Sequence, residues 1–220
     1  AVVAPFLGGL GIAAIDRLIV SHGDMDHVGG TAGLLFRKPA AEIWSGQPDR
    51  VPAPGVKTCR EGANWRWYDV SFRVLWPPTE DREIPLAGSR NNNRSCVLLV
   101  ERGDTRILLP GDIEAGVERQ LAGSLSAGDQ RLSVLIAPHH GSKTSSSAAF
   151  VQQLAPDNVV FSAGFNHHFG HPHPDVVARY LKQGARDWRT ADSGALQFRW
   201  DRDGNLAIQE QRKIHPRYWH

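Results

Sequence analysis

The stretch His22-Gly23-Asp24-Met25-Asp26-His27 constrains this chain more than any other. It sets two imidazoles and two carboxylates within six residues. One helix face cannot present all four, because only residues three or four apart are neighbours on a helix. A compact turn can, and Gly23 and the pair Gly29-Gly30 supply the backbone freedom for it. The run follows an apolar segment, residues 17–21 (R-L-I-V-S), that reads as a buried strand. Carboxylates crowded this closely need a cation to neutralise them. The run therefore reads as a metal-binding loop at a strand end rather than a solvated turn.

Periodicity along the rest of the chain predicts mixed strands and helices. Helical character follows at residues 29–36. Val70, Phe72, Val74 and Trp76 alternate with Ser71, Arg73 and Leu75, a half-buried strand closed by Pro77-Pro78. Residues 96–100 and 106–109 flank Gly103-Asp104 as a hairpin. Helices are expected at 113–121, with Glu114 near the start, at 145–154 behind serines, and at 174–182 behind a proline. Strands are expected at 132–137 and 159–162, and a closing hairpin at 196–200 and 206–209. Strands and helices interleaved in this way predict layered α/β packing. The hairpins exclude a purely parallel sheet.

A chain of 220 residues can bury a real core as one domain, taken here as residues 1–220. It has no apolar run of the ~18 residues that a membrane span needs, and no secretory signal at its start. Residues 1–10 read as mid-domain sequence, so a fragment of a longer protein is expected. The net charge of +2 permits a polyanionic substrate without requiring one. Cys59 and Cys96 lack C-x-x-C spacing, which argues against a thiolate metal site. Two buried thiols are favoured over a disulfide between them.

Further chemistry-bearing residues follow strand ends, where an α/β sheet gathers a site. Gly111-Asp112 follows one; a carboxylate there can bridge two metals, although Gly-Asp is by itself a common turn. Pro138-His139-His140-Gly141-Ser142-Lys143 follows another. Adjacent histidines cannot point the same way along a regular strand, so one can ligate while the other contacts ligand or substrate. The loop His167-His168-Phe169-Gly170-His171-Pro172-His173-Pro174 is stiffened by proline, and its imidazoles can meet phosphate or protonate a leaving group.

Ser21 to Gly30, S-H-G-D-M-D-H-V-G-G, resembles the His-x-His-x-Asp-His signature of the metallo-β-lactamase superfamily, with Asp24 at the usual second histidine. Together with Gly111-Asp112, residues 138–142 and residues 170–174, that variant resembles the C-terminal domain of the ComEC family of competence proteins, polytopic inner-membrane channels for DNA uptake. The resemblance runs from Pro5 to about Trp200. It implies an α/β fold, an αββα sandwich with the site at one edge. The family's opening strands should precede Pro5, so a sandwich without its first strands is expected. A second departure is Asn91-Asn92-Asn93-Arg94-Ser95, which stands where the superfamily has a metal-binding histidine.

Carried over residue by residue, the resemblance implies His22 and Asp24 on a first metal and Asp26 and His27 on a second. It implies Asp112 as the bridging carboxylate and His140 as the last ligand, with His139 the alternative. Three carboxylates beside three imidazoles form a hard set that favours Mn2+, with Zn2+ also compatible. Asp24, Asp26 and His140 are the expected catalytic residues. His139, Ser142, Lys143, Asn93 and His171 are the expected substrate contacts. Arg90, Arg94 and Lys143 either hold DNA phosphates or belong to a plain solvated hairpin loop, with Arg186, Arg189 and residues 212–217 as the other basic path. The expected function is a metal-dependent nuclease that degrades the non-transported DNA strand. Its expected partners are DNA, the rest of the membrane channel and other competence proteins, with no small-molecule cofactor, on the periplasmic side of the inner membrane. The alternatives are a phosphodiesterase acting on a small ester and a non-catalytic domain that guides DNA. β-Lactamase activity is least favoured, because of Asp24.

Overall fold

The computed structural model describes residues 2–79, 84, 91–125, 131–165, 169–201 and 203–216, without the side chains of 122–124. After a short helix, α1 (Val3–Gly9), the chain enters β1 (Ile15–Val20). β1 is apolar on both faces, as a strand covered on both sides must be: Leu18 and Val20 join one core cluster and Ile19 another. Two short helices follow, α2 (Met25–Val28) and α3 (Thr31–Arg37). The chain then returns as β2 (Ala40–Ser45), parallel to β1, and β3 (Lys57–Thr58), parallel to β2. Leu35 of α3 packs on Val20, Val28, Ile43 and Val51, so α3 covers the outer face of this sheet.

A seven-stranded sheet faces the first. Its antiparallel half is β4 (Asn64–Trp67), β5 (Val70–Trp76), β6 (Val97–Arg102) and β7 (Thr105–Leu109). Helix α4 (Ala115–Leu125) then crosses to β8 (Val134–Ile136), which pairs in parallel with β7. Next come α5 (Ala148–Leu154), β9 (Asn158–Phe161), α6 (Pro174–Lys182) and β10 (Arg186–Arg189), with β8, β9 and β10 parallel. A single turn, α7 (Thr190–Ser193), leads to the hairpin β11 (Leu196–Trp200) and β12 (Leu206–Glu210), and α8 (Gln211–Ile214) follows.

Alternation in β6 divides the molecule into layers. Val97 and Leu99 face the helices, in a core shared with Ile113, Val117 and Leu121, Phe150 and Val151, and Val176 and Tyr180. Leu98 faces the other way and packs with Val74, Cys59 and Cys96 against Ile19 and Trp44 of the first sheet. A β-bulge between Val74 and Trp76 lets both Leu75 and Trp76 join the helix-side core. The order is helix, sheet, sheet, helices: an αββα sandwich. No helix among the described residues is long and apolar enough to cross a membrane.

Two expectations need correction. Cys59 and Cys96 are bonded to each other, with Cα atoms 5.7 Å apart. Both are buried as expected, but Cys59 N donates to Ser45 O and Cys96 N to Ser21 O, so the ends of β2 and β1 set them face to face in the inter-sheet core. Helix α4 starts at Ala115 rather than at 113 and runs on to Leu125. Side chains hold its approach in a turn: Asp112 N donates to Ser95 Oγ, and Glu114 N to Asn93 Oδ1.

Candidate metal centre

β1 delivers Ser21 and His22 to the edge of the sandwich. The chain turns there at once, because Ser21 O accepts from both Gly46 N and Cys96 N. Asp24 takes extended backbone angles at the N-cap of α2, and Asp26 and His27 lie within its single turn. Gly111 ends the β7 segment with φ +59°, and a Cβ there would stand 2.8–2.9 Å from the Ser95 and Ser21 side chains. Only glycine lets Asp112 come this close to β1. After β8, His139 and His140 both take left-handed backbone angles (φ 49° and 56°), which non-glycine residues adopt rarely and mostly at functional sites. His139 N donates to Gly111 O and Ser142 N to His139 O, holding that turn beside Asp112.

These segments converge. The ligand atoms of Asp26, His27, Asp112 and His140 all lie within 4.8 Å of one another. His140 Nε2 is 3.1 Å from Asp26 Oδ2 and 3.5 Å from Asp112 Oδ2. His27 Nε2 is 3.2 Å from Asp112 Oδ1. His22 Nε2 lies 3.6 Å from Asp24 Oδ2, with the imidazole fully buried. The three rings share one mode of support. His140 Nδ1 is 2.7 Å from the carbonyl of Ser162, which can only accept, so Nδ1 carries a proton and Nε2 faces Asp26 and Asp112. Ser21 Oγ lies 3.1 Å from His22 Nδ1 and 3.0 Å from His27 Nδ1, and Ser95 Oγ is 3.3 Å from His22 Nδ1. His22 Nε2 is buried and has no hydrogen-bond partner among the described residues, and buried His27 Nε2 faces the carboxylates of Asp112 and Asp26. Buried ring nitrogens are otherwise almost always satisfied. Imidazoles anchored at Nδ1 with Nε2 turned toward carboxylates fit a divalent cation.

The electrostatics agree. Burial pulls the His27 pKa down, but Asp112, Asp26 and Asp24 override it and raise it. At His22, burial and the neighbouring His27 win, and its pKa is lowered. Burial pushes Asp112 up, but His27, His140 and His22 hold it below the usual carboxylate range. The carboxylates create a strong demand for positive charge here.

The other expected residues divide. His139 Nε2 stands 3.9 Å from Asp112 Oδ2, and its Nδ1 is 3.2 Å from Thr144 Oγ1, so its ring borders the cluster. The His171 ring centroid is 5.8 Å from that of His139 and 6.5 Å from that of His140. Lys143 and Arg94 are exposed. Asn93 is not at the surface: it is fully buried, and its carbonyl accepts from Trp76 Nε1 at 2.7 Å. Ser142 is buried too, with its Oγ 3.3 Å from Thr144 Oγ1. His173 caps α6 by accepting from Asp175 N. Arg90, His167, His168 and Arg217 lie outside the described residues.

Sequence reasoning assigned no role to Ser21, Ser95 and Ser162, which orient the imidazoles. Ser21 adjoins the motif, and Ser95 closes the asparagine run; Ser162 has no local signal. Nor did it foresee that Asn91 Nδ2 donates to Asp24 Oδ1 at 3.0 Å.

The chain is 35% identical over 218 residues to competence protein ComA of Neisseria gonorrhoeae, covering 99% of this chain and 30% of that protein. It is 32% identical over 217 residues to recombination protein 2 of Haemophilus influenzae (98% and 26%). It is 31% identical over 221 residues to ComE operon protein 3 of Bacillus subtilis (94% and 27%). The chain thus spans 26–30% of the length of these relatives. A candidate metal-dependent hydrolase of Parabacteroides distasonis shares the fold with a TM-score of 0.55 at 12% identity, covering 81% of this chain and 77% of that one. The diiron β-hydroxylase CmlA of Streptomyces venezuelae does so with 0.52 at 15%, covering 80% and 44%. The metallo-beta-lactamase superfamily pattern matches residues 3–165. With the αββα layers and the histidine–carboxylate cluster at their edge, that match places the chain in the metallo-β-lactamase superfamily.

Proposed function

We propose that this chain is the nuclease domain of a DNA-uptake channel, hydrolysing phosphodiesters with two divalent metal ions, and that it degrades the strand that is not transported. One observation carries the reading: buried imidazoles turn their Nε2 atoms toward Asp24, Asp26 and Asp112 in a domain similar over nearly its whole length to competence proteins. Members of the superfamily are mostly metal-dependent hydrolases.

His22, Asp24 and Asp112 would hold one ion, and Asp26, His27, Asp112 and His140 the other. The chemistry such a site would supply is an activated water near neutral pH and positive charge against phosphoryl oxygens. The carboxylate-rich set favours Mn2+, with Zn2+ the other candidate. The Asp26 side chain is 63% exposed, so it can also orient a solvent water for attack. His139 and His171 lie beside His140 and can donate to phosphate oxygens. Exposed Lys143 and Arg94 can hold neighbouring phosphates without reading bases.

Residues 1–220 would then form one domain of a longer inner-membrane protein, working with the remaining channel and other competence proteins. The Cys59–Cys96 disulfide supports a periplasmic position, since such bonds persist in oxidising compartments. Incubating the purified protein with single- and double-stranded DNA, with Mn2+ or Zn2+, tests the reading. Cleavage that is lost with chelator and in Asp26→Ala is expected; no cleavage with either metal refutes it.

A further inference from the structure

The two halves of the cluster are built differently. Among the described residues, Asp26, His27, Asp112 and His140 form the set whose ligand atoms lie within 4.8 Å of one another. His22 and Asp24 stand outside that set. They bring one imidazole and one carboxylate, against the two imidazoles and two carboxylates of the set.

A chain of amides fixes what surrounds Asp24. Gly23 N–H donates to Gln47 Oε1 at 2.9 Å. A backbone N–H can only donate, so the orientation of Gln47 is set, and its Nε2 donates to Asn91 Oδ1 at 3.0 Å. That in turn sets Asn91, whose Nδ2 donates to Asp24 Oδ1 at 3.0 Å. The end of Asn91 beside Asp24 is therefore its amide NH2, whose nitrogen lone pair is delocalised into the carbonyl and does not ligate a cation. Gln47 is buried, and it is placed by Gly46, where a Cβ would fall 1.7 Å from Arg94 O. The turn after β2 is thus pressed between the metal loop and the asparagine run, and Gln47 has one place to go.

We propose that the two metal positions are unequal: Asp26, His27, Asp112 and His140 form a tight position that fills first, and His22 with Asp24 forms a weak, exchanging one. Asn91 and Gln47 are positioning residues for the weak position. They hold one oxygen of Asp24 and leave the other, Oδ2, facing His22 Nε2. The inference rests on the two-ion part of the proposed function and not on DNA cleavage. Such supporting partners typically change metal affinity about 10- to 100-fold when removed.

The test is a titration of metal-free protein with Mn2+, following free Mn2+ by its paramagnetic resonance signal, with no nucleic acid present. Two classes of site at least tenfold apart are expected. Asn91→Ala and Gln47→Ala should weaken the weak class by about 10- to 100-fold and leave the tight class in place. Asn91→His should narrow the gap between the classes. Melting curves establish that each variant folds, and the Asn91→His comparison stands even where an alanine variant does not. Two ions of equal affinity, or an Asn91→Ala variant that weakens both classes alike, overturn the inference. Two unequal classes in a protein that leaves DNA intact keep it and refute the nuclease reading alone.

Discussion

His140 Nε2 stands 3.1 Å from Asp26 Oδ2, although 114 residues separate them in sequence. The contact exists because β1 and β8 end at the same edge of the sandwich, and because the left-handed turn at His139 and His140 swings the second imidazole back over α2. Everything expected of the site follows from this closure, and it can be broken at named positions.

Asp112 sits between His27 and His140, whereas His173 is spent on capping α6. Asp112→Asn should therefore remove more than the 10- to 100-fold of metal affinity that supporting residues contribute, and His173→Ala should change it little. Metal content after dialysis, read by mass spectrometry, decides; equal loss in the two variants contradicts the assignment.

DNA binding should depend on Lys143 and Arg94. Backbone-directed binding releases counterions, so the slope of log affinity against log salt should flatten by roughly one for each phosphate-binding cation removed. The double variant Lys143→Ala, Arg94→Ala should flatten it by about two while its metal content stays unchanged. An unaltered slope moves the DNA path toward Arg186, Arg189 and Arg212.

Cys59 and Cys96 close a sequence separation of 37 residues. Reduction should cost about 2–4 kcal/mol of stability, chiefly by freeing the unfolded chain. Urea denaturation with and without reductant measures it. Coincident curves would mean that the bond adds nothing.

Glu118 lies buried at the entry of α5, accepting from Ser147 N at 2.8 Å and from Ser146 N. Burial pushes its pKa above the ordinary 4.5, against the pull of the Ser147 and Ser146 donors and Arg179. A carboxyl with a raised folded-state pKa contributes stability that is complete below its unfolded value and is lost as pH rises through the folded one. The advantage of the natural protein over Glu118→Gln should therefore shrink as pH rises from about 4 toward neutrality. Thermal melts across that range measure it, and an advantage that grows with pH reverses the sign.

The metal loop is legible without a structure, because four ligand-type residues in six positions after an apolar strand admit few other uses. So are β5, the β6–β7 hairpin and α6, whose alternation, turn residues and entry proline are local signals. Strands such as β4 and β10 are not: N-W-R-W is only four residues long, R-D-W-R is charged at three of its four positions, and both take strand form from their neighbours' backbones. Packing in three dimensions was needed to bring Cys59 to Cys96, to turn Asn93 inward, and to set Asn91 against Asp24. The physical reason is range. A strand or a capped helix is written in residues a few positions apart, whereas the hydrogen bonds that aim Asp24 join residues 44 and 67 positions apart, and no local pattern records which strand ends the packed core will bring together.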